Sequence, residues 1–168
     1  MRKVEYLLRK GARLHSYRLG DEYAPLPQAS LKHNRYLLPL LLKHSRTIWD
    51  GNTILRAPVR DGDEECVALL LRHGTELHVT DAEGKAAIHY AVDPRHEDEQ
   101  KALRIVRLLL QAGADINAVS LSCCPPFAHT PLDIAERNPD FPAVTEHLRT
   151  NGGKHAAELV AEYNYSRQ

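Results

Sequence analysis

The chain has 168 residues, enough for one ordinary domain or for an array of several small units. Its 22 Lys and Arg residues balance its 22 Asp and Glu residues, which disfavours a uniformly basic nucleic-acid binder. Hydrophobic residues make up 43% of the chain, with only 6% aromatic residues and 24 leucines, so the composition disfavours disorder and a β-sandwich and favours packed helices.

Nothing in the sequence indicates secretion or a membrane span. No apolar run approaches the roughly 20 residues of a membrane helix, and the first ten residues carry five charges with no apolar segment behind them. The cysteines, Cys66, Cys123 and Cys124, cannot form a full disulfide framework. We therefore expect an intracellular protein, cytoplasmic or nuclear, that is not secreted.

A leucine-rich helical phrase that closes on glycine recurs along the chain. Its first copy is Val-Glu-Tyr-Leu-Leu-Arg-Lys-Gly at 4–11, and its clearest is Ile-Val-Arg-Leu-Leu-Leu-Gln-Ala-Gly at 105–113. Other copies lie at 66–74, at 144–152 and at 37–45, where Ser45 replaces the closing glycine. The apolar spacing predicts helices, and the closing glycine suits a left-handed helix cap.

A second phrase lies between these helices, at 24–29, 53–58, 86–91 and 130–135. Thr130 followed by Pro131 predicts a helix start, because the hydroxyl accepts a backbone N–H and proline has none to leave unpaired. The successive starts are 29, 33 and 44 residues apart. The longest spacing holds two insertions, a charged turn at 94–99 and a long loop at 119–129.

These alternating phrases resemble the ankyrin repeat, whose unit of about 33 residues carries Thr-Pro-Leu-His-x-Ala. The match is clearest over 74–118, which ends in Gly-Ala-Asp-Ile-Asn-Ala. The resemblance covers residues 1–155. It implies an all-α fold, a solenoid of stacked helix-turn-helix units with short β-hairpin-like finger loops.

On this basis residues 1–168 form a single array. Residues 1–15 are an N-terminal half unit, which is either a capping helix or part of a longer array. Repeats follow at 16–45, 46–79, 80–118 and 119–153, and residues 154–168 form a capping helix and tail. A fragment of a longer array therefore stays open as an alternative.

Of the four repeats, only the one with His89 keeps the signature histidine, which in the family braces neighbouring loops. Pro27, Arg56 and Asp133 replace it elsewhere.

We predict that residues 16–50 form the least stable stretch. Cys66 is predicted to be a small buried hydrophobe.

The sequence gives little support for a metal site or for a catalytic mechanism. Its ten histidines lack metal-ligand spacing and a Cys-x2-Cys partner. Cys123 and Cys124 lie near His129, but no third group orients them as a nucleophile would require. We expect a non-catalytic protein without metal or cofactor. The alternative is an atypical enzyme or small-molecule binder whose polar groups, His89, Tyr90, Asp93, His129 and Arg137, converge on the groove.

The resemblance implies that finger tips and first helices form a concave groove that binds a partner. On this sequence the candidate partner-binding residues are Tyr17, Arg18, Tyr23, Gln28, Trp49, Asp50, Asn52, Arg60, Lys85, Tyr90, Asp93, His129 and Arg137. Tyr, Trp and Arg are frequent interface hot spots. An exposed Trp49 beside Arg60 and Tyr90 would suit an acidic or extended peptide; alternatively, Trp49 packs into its own finger.

We therefore expect a monomeric scaffold or adaptor that binds a protein or an extended peptide, and neither nucleic acid nor a membrane.

Overall fold

The computed structural model describes residues 2–10, 29, 35–44, 51–93, 95–96, 98–121 and 128–165. Within these ranges the helical segments are α1 (Arg2–Arg9), a 3₁₀ turn (Arg35–Leu37), α2 (Leu38–His44), α3 (Gly51–Arg60), α4 (Glu64–Arg72), α5 (Ala87–Ala91), α6 (Glu99–Gln111), α7 (Pro131–Ala135), α8 (Pro142–Thr150) and α9 (Ala156–Tyr165). The strands β1 (Ser120–Leu121) and β2 (Ala128–His129) form an antiparallel hairpin that pairs Ser120 with His129.

From α3 onwards the helices pack as two layers. The first helices of the units, α3, α5 and α7, stack on one another, and the second helices, α4, α6 and α8, stack beside them. Each first helix also packs against the second helix that follows it. The predicted all-α solenoid is confirmed, and the β1–β2 hairpin is one of its finger loops.

The core lies between the two layers and is built from equivalent positions of the leucine-rich phrase. Leu70 of α4, Leu109 of α6 and Leu148 of α8 are each fully buried. Burying a side chain of this size contributes about 1.5–3 kcal/mol relative to leaving it exposed. Cys66 is also buried, as predicted.

Side-chain caps begin helices α6 and α7, and the cap at Thr130 is the predicted one. The Thr130 hydroxyl accepts the backbone N–H of Asp133, and Pro131 occupies the first helical position. Asp98 caps α6 by accepting the N–H groups of Gln100 and Lys101. Pro39 is the second residue of α2, where its missing N–H is tolerated.

Closing glycines follow the second helices in the left-handed conformation that the repeated phrase predicts. Gly74, Gly113 and Gly152 have φ values of +75°, +95° and +90°. Residues with a Cβ pay a steric cost in this region, so glycine ends each helix and turns the chain towards the next finger.

Adjacent fingers contact each other directly. Asp81 shapes one finger by accepting the backbone N–H groups of Glu83 and Lys85. The N–H of Leu121 in the next finger then donates to the Glu83 carbonyl at 2.9 Å. The two fingers are thereby held in a fixed register.

Residues 16–50, which are predicted to form the least stable stretch, lie mostly outside the described residues. Their lower stability therefore stays a prediction. None of the helices in the described ranges combines the length and the apolar character that a membrane crossing requires.

Gly84→Ala tests the contact between fingers, and Gly113→Ala is its matched control. Both glycines have positive φ, so each substitution is expected to cost about 1 kcal/mol in backbone strain. A Cβ on Gly84 would also lie 3.1 Å from the Leu121 nitrogen, whereas one on Gly113 would meet nothing within 4 Å. We expect Gly84→Ala to lower the free energy of urea unfolding by about 1 kcal/mol more than the control. Equal losses would show that the backbone of Leu121 has room for a Cβ at position 84.

Candidate functional site: a pocket between two units

A pocket of about 260 Å³ opens where two successive fingers and first helices meet. We call it the inter-repeat pocket. Its lining side chains come from the finger before α5, from α5 and the residues after it, from the β1–β2 hairpin, and from α7 and the turn after it. They are Glu83, Lys85, His89, Asp93, Ser120, His129, Ile134 and Arg137.

His89 forms the floor of this pocket and is 2% exposed. Its Nδ1 accepts the Ala86 N–H at 3.0 Å, and its Nε2 lies 3.0 Å from the Ala118 carbonyl. Together these contacts fix the neutral tautomer that carries its proton on Nε2. Burial lowers the pKa of His89. The bracing role that the family resemblance implied is therefore present, and neither ring nitrogen remains open to a substrate.

The carboxylates in the pocket wall already have cationic partners. Lys85 Nζ lies 2.7 Å from Glu83 Oε2. Arg95 donates to Asp93 through Nε at 2.7 Å and through Nη2 at 2.6 Å. The hydrogen bond from Arg95 lowers the pKa of Asp93. The carboxylates of Glu83 and Asp93 are therefore each paired with a cation within the pocket wall.

The far rim of the pocket consists of His129 and Arg137. Arg137 Nη2 lies 3.3 Å from His129 Nδ1, so that nitrogen accepts and carries no proton. Partial burial, and then the charge of Arg137, lower the pKa of His129. The acids nearest in sequence are engaged elsewhere, Asp133 with His155 and Glu136 with Arg149.

Tyr90 is a predicted contact residue that the structure places largely in the core. The side chain is 4% exposed and does not line the inter-repeat pocket. Its hydroxyl donates to the Asp81 carboxylate of the finger, and burial raises its pKa. The Arg56 guanidinium lies 5.5 Å from the ring centroid. Tyr90 therefore holds the finger in place through Asp81. Its ring packs in the core and leaves little surface to a partner.

Of the other predicted contact residues, Lys85, Asp93, His129 and Arg137 line the pocket together. Arg60 is exposed at the end of α3 but lies outside the pocket lining. Asn52 is in α3, and its side chain is not among those described. Six further candidates lie outside the described residues: Tyr17, Arg18, Tyr23, Gln28, Trp49 and Asp50.

Arg95 is not among the predicted contact residues, yet its charge completes the pocket wall through Asp93. It lies in the insertion that was interpreted only as a charged turn. The two-residue spacing from Asp93 was the available signal, since the Arg95 N–H also donates to the Asp93 carboxylate at 3.0 Å.

The arrangement suits ionic and hydrogen-bonded recognition. The Ser120 hydroxyl donates to the His129 carbonyl at 3.0 Å, so it is not aligned with a base. Across the part of the chain that the structure describes, no group of three or more His, Cys, Asp or Glu side chains could hold a metal. Cys123 and Cys124 lie outside that part.

Comparison with known proteins identifies similar sequences and folds. A family model for ankyrin repeats, in three copies, matches residues 26–120. The chain is 30% identical over 120 residues to an ankyrin repeat protein of Fowlpox virus (strain NVSL), covering 68% of the chain and 34% of that protein. It is 29% identical over 125 residues to the ankyrin repeat and SOCS box protein 6 of Pongo abelii, covering 71% and 30%. The chain thus spans about a third of the length of these curated relatives.

A solved ankyrin repeat domain from Acinetobacter baumannii AYE has the same fold, with a TM-score of 0.73. The match covers 89% of the chain and 74% of that domain, at 23% sequence identity.

The His89 floor predicts a particular dependence of stability on pH. Because the folded-state pKa lies below the ordinary value of about 6.5, the contribution of His89 is complete above that pH. It is lost as the pH falls towards the folded-state pKa. We expect His89→Gln to weaken the loss of thermal stability between pH 7.5 and 5.5, because glutamine does not titrate. Parallel pH profiles for the two proteins would contradict a neutral His89.

Proposed function

Because the chain belongs to the ankyrin repeat family, we propose that it is a non-catalytic protein-binding module, a scaffold or adaptor, that holds a partner protein or extended peptide in its concave groove. Ankyrin repeats are generally protein–protein interaction modules. Stacked units create the extended concave surfaces that such proteins use for binding. The array of 1–168, with its repeats at 16–45, 46–79, 80–118 and 119–153, is part of this proposal.

The observation that carries the proposal is the inter-repeat pocket. It lies at the junction of fingers and first helices, and four of the thirteen predicted contact residues line it together. Its walls are held before any partner arrives, through the His89 hydrogen bonds and the Leu121–Glu83 backbone contact. A surface that is already ordered loses less conformational entropy on binding.

The rest of the proposed groove would extend from this pocket towards the earlier fingers. Trp49, Tyr17 and Tyr23 would contribute aromatic contacts to the same partner from earlier fingers. Affinity would then be distributed over several units, with the inter-repeat pocket fixing the register of the partner along the groove.

A charge-reversal pair tests the groove. Lys85→Glu with Arg137→Glu changes two pocket side chains, and we expect it to reduce recovery of a native-lysate partner by about tenfold or more, because reversed rim charges repel the complementary surface. The measurement is quantitative mass spectrometry of the captured proteins, followed by affinity measurement with the purified partner.

The matched control is Arg72→Glu with Arg107→Glu, which makes the same change in net charge on exposed positions of the second helices. Circular dichroism would verify that both variants fold. Partners retained equally by wild type and the pocket variant, but lost from the control, would place the interface on the second-helix layer and overturn the proposal.

A further inference from the structure

The charges of the inter-repeat pocket leave one cation without a carboxylate. Glu83 is paired with Lys85, and Asp93 is paired with Arg95. Among the residues that the structure describes, the Arg137 guanidinium contacts only the neutral imidazole of His129. Arg137 is exposed on the rim, so a ligand can reach its remaining N–H donors.

A guanidinium has five N–H donors in a planar fork, and this fork matches the two oxygens of a carboxylate. A bidentate pair of this kind is stronger and more directional than a neutral hydrogen bond. A neutral imidazole satisfies one donor at most. The chemistry of the rim therefore favours an anionic group with two oxygens.

Arg137 is well placed to act as a fixed anchor. Its backbone N–H donates to the Ile134 carbonyl at 3.2 Å, immediately after the capped helix α7. His129 is fixed by pairing with Ser120 in the β1–β2 hairpin. Holding both ends limits the conformational entropy that Arg137 loses when a ligand binds.

The dimensions of the pocket favour a side chain. A volume of about 260 Å³ lies below the roughly 300–1,000 Å³ of pockets that enclose drug-sized ligands. The partly buried Ile134 supplies an apolar wall on which the methylene groups of an aspartate or glutamate can pack. The pocket is open at the groove, so the backbone of an extended segment can continue past it.

The paired acids also limit the charge that the pocket accepts. Lys85 and Arg95 already offset the charges of Glu83 and Asp93, so a second acid in an acidic tract would meet no available cation among the pocket-lining residues that the structure describes and would be repelled by the first acid. A segment with one acidic side chain, flanked by uncharged or basic residues, avoids this repulsion.

We propose that the inter-repeat pocket binds a single aspartate or glutamate side chain of an extended partner segment, with Arg137 donating to its carboxylate. This inference rests on the proposed function and adds the chemistry of the segment that is recognised. Lys85 would remain on Glu83 and Arg95 on Asp93, so Arg137 is the specificity-determining contact.

Selection from random 12-residue peptide libraries tests this proposal without knowledge of the natural partner. One library displays peptides with a free C-terminus, and the other tethers the peptides through it. Each is panned against wild type, R137Q and the matched control R107Q, which removes an exposed guanidinium from α6. We expect wild type and R107Q to select peptides from both libraries that share one Asp or Glu at a fixed position, and R137Q to lose that preference.

A selected peptide is then synthesised with its acid and with the corresponding amide, and both are titrated by fluorescence polarisation. Replacing the acid by the amide is expected to weaken binding to wild type about tenfold or more. The same replacement should change binding to R137Q less than about twofold, since the two changes remove one shared interaction. R137K, which keeps the charge but loses the planar fork, should fall between them.

The outcomes separate this inference from the proposed function. One outcome is a set of peptides that bind wild type, lose binding to the Lys85→Glu, Arg137→Glu variant and share no acidic residue. This outcome would overturn the carboxylate inference and leave the proposed groove binding unaffected. Selection confined to free C-termini would also overturn it, in favour of a terminal carboxylate. An acid preference that R137Q retains would remove Arg137 from the role. Failure of wild type to select any peptide above background would overturn the single-carboxylate inference, whereas the proposed function is decided by the lysate capture with the charge-reversal pair.

Discussion

The hydrogen bonds of His89 connect two successive units, and the geometry of the inter-repeat pocket between these units depends on them. The imidazole accepts from Ala86 at the start of its own helix and reaches the Ala118 carbonyl before the next finger. The imidazole itself is buried, and so is its contact with the Ala86 N–H, so displacing the ring would leave a buried donor without a partner. The walls of the inter-repeat pocket come from these two units, so this junction sets the distance between Lys85 on one side and Arg137 on the other.

Local signals made much of the scaffold predictable. The leucine-rich phrase fixed the second helices, Thr130 and Pro131 fixed the start of α7, and the glycines fixed the helix ends, because each of these features acts within a few residues of chain. The burial of Tyr90 was not predictable in this way. It depends on Asp81, nine residues earlier, and on the neighbouring helix that presents Arg56. A family resemblance gives the position of Tyr90 on its helix, but the residues that cover it come from the fold.

In the pocket, too, the individual residues were predictable from the sequence, whereas their arrangement in space was not. Lys85, Asp93, His129 and Arg137 were each predicted as contact residues, yet their convergence depends on how two inserted segments sit between α5 and α7. Whether a charge is available also depends on its partners in space. Lys85 and Arg137 look equivalent in sequence, but one is neutralised by Glu83 and the other faces a neutral ring.

The position of the signature histidine is equivalent in three successive first helices, and each occupant reaches the following segment by different chemistry. Arg56 of α3 lies over the Tyr90 ring of α5, which is the next first helix. His89 contacts the Ala118 carbonyl. Asp133 instead accepts the N–H of Ala156 at 3.0 Å and contacts His155 at 2.7 Å. One junction therefore presents a cation to an aromatic face, the next a donor to a carbonyl, and the last an acceptor to an amide.

These junctions give the array a fixed order. If the unit that carries His89 exchanged places with the unit that carries Asp133, the imidazole N–H would face a backbone N–H, and the carboxylate would face a carbonyl. Both pairings are repulsive. The units are thus alike in backbone but not interchangeable, and a shuffled version of the array would contain mismatched donors and acceptors at its junctions. The residue at this one position of each first helix therefore helps to set the order of the units along the array.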